Sequence, residues 1–121
     1  MIKKTFVAAM VMLIAGAALA SNRSKGVTLT GYLIDNACAA KNSGNSDKIK
    51  GHSVQCALME PCVKSGYALY ADGKLYKLDK NGNEKAEAIL KATSSKTSPQ
   101  VKVDGDVSGD TIKVKNISEV S

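Results

Sequence analysis

Apolar residues alternate with other residues along Val27–Ile34, Val101–Val107 and Thr111–Lys115, a pattern typical of strands with one buried face. Tyr67–Ala71 and Leu75–Asp79 are predicted as two further short strands, the second and third of five stretches in chain order. Asp72-Gly73, a strong hairpin-turn signal, separates the second stretch from the third, and Ser108-Gly109-Asp110 separates the fourth from the fifth. The pattern predicts a first strand, in which Gly31 indicates a bend, followed by two hairpins.

A long segment without strand character separates the first two predicted strands. Asp35–Gly51 is rich in Asn, Ser, Lys and Gly, which predicts a long loop. In His52–Lys64, Ser53 is placed to cap a short helix. We expect Pro61 to break or restart this helix and Gly66 to end it.

A second helix is predicted after the first hairpin. Asn81-Gly82 indicates a turn, and Asn83 can cap a helix over Glu84–Ala92. The resulting order is strand, Cys-bearing insertion, strand, strand, helix, strand, strand. It predicts a mainly β fold with helices: a five-stranded OB-like Greek-key barrel with a Cys-bearing helical insertion after strand 1 and a helix between strands 3 and 4. The alternative is an open antiparallel sheet with helices on one face.

The amino-terminal residues have the parts of a secretory signal peptide. Lys3 and Lys4 are charged, an uncharged and largely apolar run follows, and Ala18-Leu19-Ala20 offers small residues at a cleavage site. The run is shorter than the ~20 apolar residues that span a bilayer, which argues against a stable membrane anchor. We expect residues 1–20 to be removed, 21–26 to form a flexible arm and 27–121 to fold as one domain, periplasmic or secreted.

Composition narrows the classes of function. The chain has 121 residues, too few for a multidomain enzyme, and its 44% hydrophobic content is too high for a disordered chain. Without Lys3 and Lys4, 15 basic residues face 11 acidic ones, so the exported chain carries +4. This ordinary surface charge and the export signal argue against a nucleic-acid partner. Tyr67, Tyr70 and Tyr76 lie where OB barrels bind ligands, but we expect them to serve mainly as core residues.

All three cysteines and the single histidine lie close together in sequence. Cys38, His52, Cys56 and Cys62 make a tetrahedral zinc set of three thiolates and one imidazole. The same donors suit Cu(I), to which Met59 could add a thioether. If the chain is helical from His52, then His52 and Cys56 are four residues apart on one face. The sequence therefore predicts a zinc or copper site.

A disulfide with one remaining thiol is the competing interpretation. Cys56 and Cys62 in one continuous helix would lie ~9 Å apart, beyond the ~7 Å that a bridge allows between Cα atoms. A Cys38–Cys62 bridge would contribute about 3.4 kcal/mol through loop entropy, against about 2.2 kcal/mol for Cys56–Cys62. The third cysteine would then be free or would link two copies into a dimer. Such a stapled domain could bind an envelope saccharide or a protein partner.

A thiol enzyme is a third interpretation. The chain has no Cys-x-x-Cys pair at a helix start, which would lower a thiol pKa. A nucleophile and base could come from a Cys–His pair with Asp35 as the third group. No phosphate loop or serine elbow motif is present. We therefore predict a non-enzymatic domain without catalytic residues.

Several segments resemble a family of small secreted bacterial domains of unknown function. The resembling segments are Gly31–Cys38, Cys56–Gly66, Gly73–Asp79, Val101–Gly105 and Ile112–Val114. The first is similar to an opening Gly-x-Leu/Ile-x-Asp-x-x-Cys, and the second to a Cys…Cys-Val-Lys-x-Gly segment. The resemblance implies an exported barrel-like domain with grouped cysteines, and it implies no established activity. The spacing between Cys56 and Cys62 is longer here than in that pattern.

Overall fold

Five strands and five helices make up the described part of the chain, residues 25–120 of a computed structural model. The strands are β1 Lys25–Asp35, β2 Tyr67–Ala71, β3 Lys74–Leu78, β4 Gln100–Ser108 and β5 Thr111–Glu119. The helices are α1 Asn36–Lys41, α2 Ser46–Lys50, α3 Val54–Ala57, α4 Glu60–Ser65 and α5 Lys80–Ala92. The predicted mainly β class with short helices is confirmed. The predicted signal peptide lies outside the described residues, and β1 begins at Lys25, within the predicted arm.

All five strands belong to one mixed sheet in the order β1-β2-β3-β5-β4. β1 pairs antiparallel with both β2 and β4, and the two hairpins β2–β3 and β4–β5 are also antiparallel. β3 and β5 run parallel through the pairs Lys77↔Thr111 and Leu78↔Ile112. Each strand therefore has a partner on both sides. The alternative of an open, all-antiparallel sheet is wrong, because β3 and β5 are parallel neighbours.

The turn and cap residues act largely as the sequence predicts. Asp72 and Gly73 both have positive φ, of 51° and 78°, as the tight turn of a right-twisted hairpin requires. Ser53 caps α3 by accepting the Cys56 amide at 3.2 Å. α4 begins beside Pro61 and ends at Gly66, whose φ of 81° is costly for other residues. The predicted interruption of this helical segment is thus confirmed.

Helix α5 begins earlier than predicted. Its N-cap is Asp79, whose Oδ1 accepts the amides of Gly82 at 3.0 Å and Val114 at 3.2 Å. Asn81-Gly82 is therefore inside the helix, and Asn83 accepts the Tyr67 amide at 2.8 Å instead of capping. The prediction was wrong because the turn propensity of Asn-Gly is overridden by the carboxylate cap and by packing.

The predicted loop over Asp35–Gly51 contains two short helices. Asp35 caps α1 and Asn45 caps α2, each accepting an amide three residues ahead. These helices are short and Ile49 is their only large apolar residue, so the sequence lacks a helical periodicity here. They are held by a small cluster in which Ile34, Ala39 and Ile49 are buried, next to the main core between the sheet and α5. Within residues 25–120, no helix is long and apolar enough to cross a bilayer.

Candidate metal centre

The site is built around a carboxylate at the end of β1. Asp35 is completely buried. Its Oδ2 accepts the amide of Cys38 at 2.9 Å, which starts α1, and its Oδ1 lies 3.0 Å from Nε2 of His52. A buried carboxylate is stable only when its oxygens have such partners. Asp35 therefore fixes the helix that carries Cys38 and the ring of His52 at the same time.

His52 lies in the connection between α2 and α3, before the cap residue Ser53. Its carbonyl accepts the amide of Ser98 at 2.9 Å, and the buried hydroxyl of Ser98 donates to the Ile49 carbonyl at 2.7 Å. The loop that follows α5 thus holds the backbone of the His52 segment. The predicted helical i,i+4 relation between His52 and Cys56 is wrong, although the two side chains do meet.

Three of the four predicted ligands converge. One nitrogen of His52 and the Sγ atoms of Cys38 and Cys56 all lie within 4.8 Å of one another. All three residues are half-buried. We call this group the Cys38–His52–Cys56 trio. Soft thiolate and imidazole donors at this separation can close around one zinc or copper ion after small side-chain movements.

The fourth predicted ligand, Cys62, belongs to a neighbouring group. Its Sγ, the Sγ of Cys38 and an oxygen of Asp35 lie within 4.8 Å of one another. Cys62 is buried, at 9% exposure, on α4. All three cysteines are free thiols, and Met59 is exposed at the N-cap of α4. Cys38 is thus common to both groups.

The surroundings of Cys38 and Cys62 disfavour the thiolate form of both side chains. Burial, and then the nearby charge of Asp35, raise the pKa of Cys38 to about 12. The same two causes raise the pKa of Cys62. Near neutral pH both thiols are therefore protonated unless a cation replaces the protons. A bound metal ion deprotonates a coordinating thiol.

From the sequence, Asp35 was a candidate only for the third catalytic group beside a Cys–His pair. Its position after a strand and three residues before Cys38 is the signal of an N-cap, and that signal identifies its backbone role. Ser98 was missed entirely, because nothing in its polar loop marks one hydroxyl as buried.

Comparison with family models, with curated proteins and with solved structures finds no match to this chain. The resemblance to small secreted domains therefore stays a prediction.

Proposed function

We propose that this protein is a small, non-enzymatic metal-binding domain that holds one Zn²⁺ or Cu⁺ ion in the Cys38–His52–Cys56 trio. The observation that carries the proposal is the convergence of two sulfurs and an imidazole nitrogen within 4.8 Å of one another. Thiolates and imidazole bind both ions well, whereas Mg²⁺ and Ca²⁺ require oxygen donors.

Asp35 supports this assignment as a residue that positions the ligands. In the tautomer in which Nε2 of His52 donates to Asp35 across the 3.0 Å contact, Nδ1 carries the free lone pair that a metal needs. Metal-ligating histidines almost always donate their other ring nitrogen in this way. Since both oxygens of Asp35 are used within the protein, it acts behind the ligands.

The fold is part of the proposal. A sheet in which each of five strands has two partners, with a helix between β3 and β4, is consistent with an OB-like barrel. The trio then lies in the insertion between β1 and β2, where ligand-binding loops of such barrels occur.

We further propose that the chain is exported, on the strength of its signal-like amino terminus.

Metal titration of the reduced protein tests the site. Co²⁺ serves as an optical probe for tetrahedral thiolate coordination, and Zn²⁺ and Cu⁺ affinities follow from competition with chelators. We expect one ion per chain in the wild type and at least about 100-fold weaker binding in Cys38→Ser, Cys56→Ser and His52→Gln. Cys62→Ser is the matched control, because it removes a thiol outside the trio. Absence of binding, or equal binding by the trio variants, would overturn the proposal.

Asp35→Asn tests the positioning role. The amide keeps the size of the side chain but loses one strong acceptor, so either Cys38 N or His52 Nε2 loses its partner. Outer hydrogen-bond partners of this kind are typically worth about 10–100-fold in metal affinity. We expect a loss in that range with unchanged stoichiometry and unchanged Co²⁺ band positions. Wild-type affinity in Asp35→Asn would contradict the role.

A further inference from the structure

We propose that Cys62 is the disulfide partner of Cys38, and that formation of this bond switches the metal site off. The inference rests on the proposed function, because the same sulfur of Cys38 is needed by the Cys38–His52–Cys56 trio and by Cys62. A sulfur joined to Cys62 cannot be a thiolate ligand. The metal-loaded and disulfide states are therefore mutually exclusive.

The positions of the three sulfurs separate the roles of the cysteines. Cys56 shares a group with His52, whereas Cys62 shares one only with Cys38 and Asp35. Within the described residues, this leaves Cys62 as a buried thiol outside the trio and within 4.8 Å of Cys38. A thiol placed there is outside the trio that the proposed function assigns to the metal, and it has a second thiol within reach.

The backbone holds α1 and α4 together without any help from the sulfurs. The amide of Asn36 donates to the Gly66 carbonyl at 2.8 Å, and its side-chain amide donates to the Ser65 carbonyl at 2.9 Å. The amide of Ala37 donates to the hydroxyl of Ser65 at 3.2 Å. Cys38 follows the first of these segments and Cys62 precedes the second. The two thiols are therefore held as neighbours by the backbone, and their sulfurs, within 4.8 Å of each other, must approach to about 2.05 Å to form the bond.

The chemistry requires a disulfide oxidant, either a small molecule or a thiol–disulfide exchange protein. Cys38, the less buried thiol, loses its proton and attacks one sulfur of the oxidant, which forms a mixed disulfide and expels one thiolate. Cys62 then loses its proton, attacks the sulfur of Cys38 in that mixed disulfide and expels the second thiolate. Two protons and two electrons leave the protein, and the oxidant becomes two thiols.

Oxidation of the metal-free, full-length chain with oxidised glutathione tests the inference. Peptide mapping locates the disulfide, and Co²⁺ and Zn²⁺ titrations are made before oxidation, after it, and after re-reduction. We expect a Cys38–Cys62 linkage, at least about 100-fold weaker metal binding in the oxidised protein, and full recovery on reduction. Protein loaded with Zn²⁺ should oxidise more slowly than metal-free protein.

Cys62→Ser is the matched variant. It should bind metal as the wild type does, and the same glutathione treatment should form no intramolecular disulfide between the two remaining cysteines, Cys38 and Cys56. Oxidised wild type that still binds metal, a linkage to Cys56 instead, or loss of metal binding in reduced Cys62→Ser would each overturn the inference. Reduced wild type that binds no metal overturns the proposed function instead, and the peptide map still tests the Cys38–Cys62 pair on its own.

Discussion

At the scale of single residues, the sequence predicts that the three cysteines and His52 lie close together, but not that they form two groups. All four predicted ligands lie in the insertion between β1 and β2, so their proximity follows from the sequence. The position of His52 relative to the sulfurs depends on its contact with Asp35 and on the bonds of Ser98 to the His52 segment, and these are tertiary contacts. The four-ligand set of the sequence analysis is thus arranged as a trio and an adjacent buried thiol.

Tyr67 provides a prediction on alkaline stability. Its side chain is buried and its hydroxyl donates to the Ala57 carbonyl at 2.9 Å. Burial, and then the charge of Glu87, raise the pKa of Tyr67 from 10.0 to about 12. The neutral hydroxyl is therefore favoured in the folded state. This contribution to the free energy of unfolding is fully present below pH 10 and is lost as the pH rises towards 12.

Tyr67→Phe should lower the free energy of unfolding near neutral pH by about 1–3 kcal/mol, because the buried Ala57 carbonyl loses its donor. The variant has no phenol to ionise, so its deficit should shrink between about pH 10 and about pH 12. Urea unfolding at a series of pH values measures both effects. A deficit that stays constant or grows over this range would contradict the assignment.

At the scale of elements, β4 and β5 were predictable because their buried residues alternate with more exposed ones. Val101, Val103 and Gly105 of β4 are buried between more exposed residues, and this alternation is visible in the sequence. Helix α5 was predicted too short, since its first turn contains Asn81-Gly82 and is fixed by the Asp79 cap. Gly82 is there for space: a Cβ would lie 2.5 Å from Cγ2 of Val114.

Gly82→Ala should therefore destabilise the protein although Ala favours helices. Helix propensity would add about 1 kcal/mol of stability, and overpacking against Val114 typically costs about 1–3 kcal/mol. We expect a net loss of up to about 2 kcal/mol in the free energy of unfolding. A double-mutant cycle with Val114→Ala supplies the control, since removing the facing methyl groups should reduce the penalty. A stabilised Gly82→Ala variant would show that α5 and β5 are less tightly packed than their distance implies.

At the scale of the whole molecule, the number of strands and their order along the chain could be predicted from the sequence. The strands that pair with β1 in the sheet could not. β1 lies between β2 and β4, and residues 36–99 separate it from β4 along the chain. Such long-range pairing depends on how the whole sheet assembles. The part of the insertion before His52 was predicted as a loop because its two helices are short and Ile49 is their only large apolar residue.

Metal binding should stabilise the entire fold through mass action. An ion that binds only the folded chain adds about 2.7 kcal/mol when its free concentration is 100-fold above Kd. For a domain of this size we expect Tm to rise by roughly 10–20 °C. Thermal unfolding of the reduced protein, followed by circular dichroism with and without Zn²⁺, measures the shift. His52→Gln should show little or none of it, and an equal shift in that variant would place the metal elsewhere.

The parallel pairing between β3 and β5 is short, and this affects where solvent can first reach the core. Near the two residue pairs that form it, the amides of Lys77 and Asp79 donate to the carbonyls of Asp110 and Ile112. Separating β3 from β5 breaks fewer backbone hydrogen bonds than separating β1 from β4. Local opening of this pairing would therefore expose the buried side chain of Leu78 to solvent before that of Leu33.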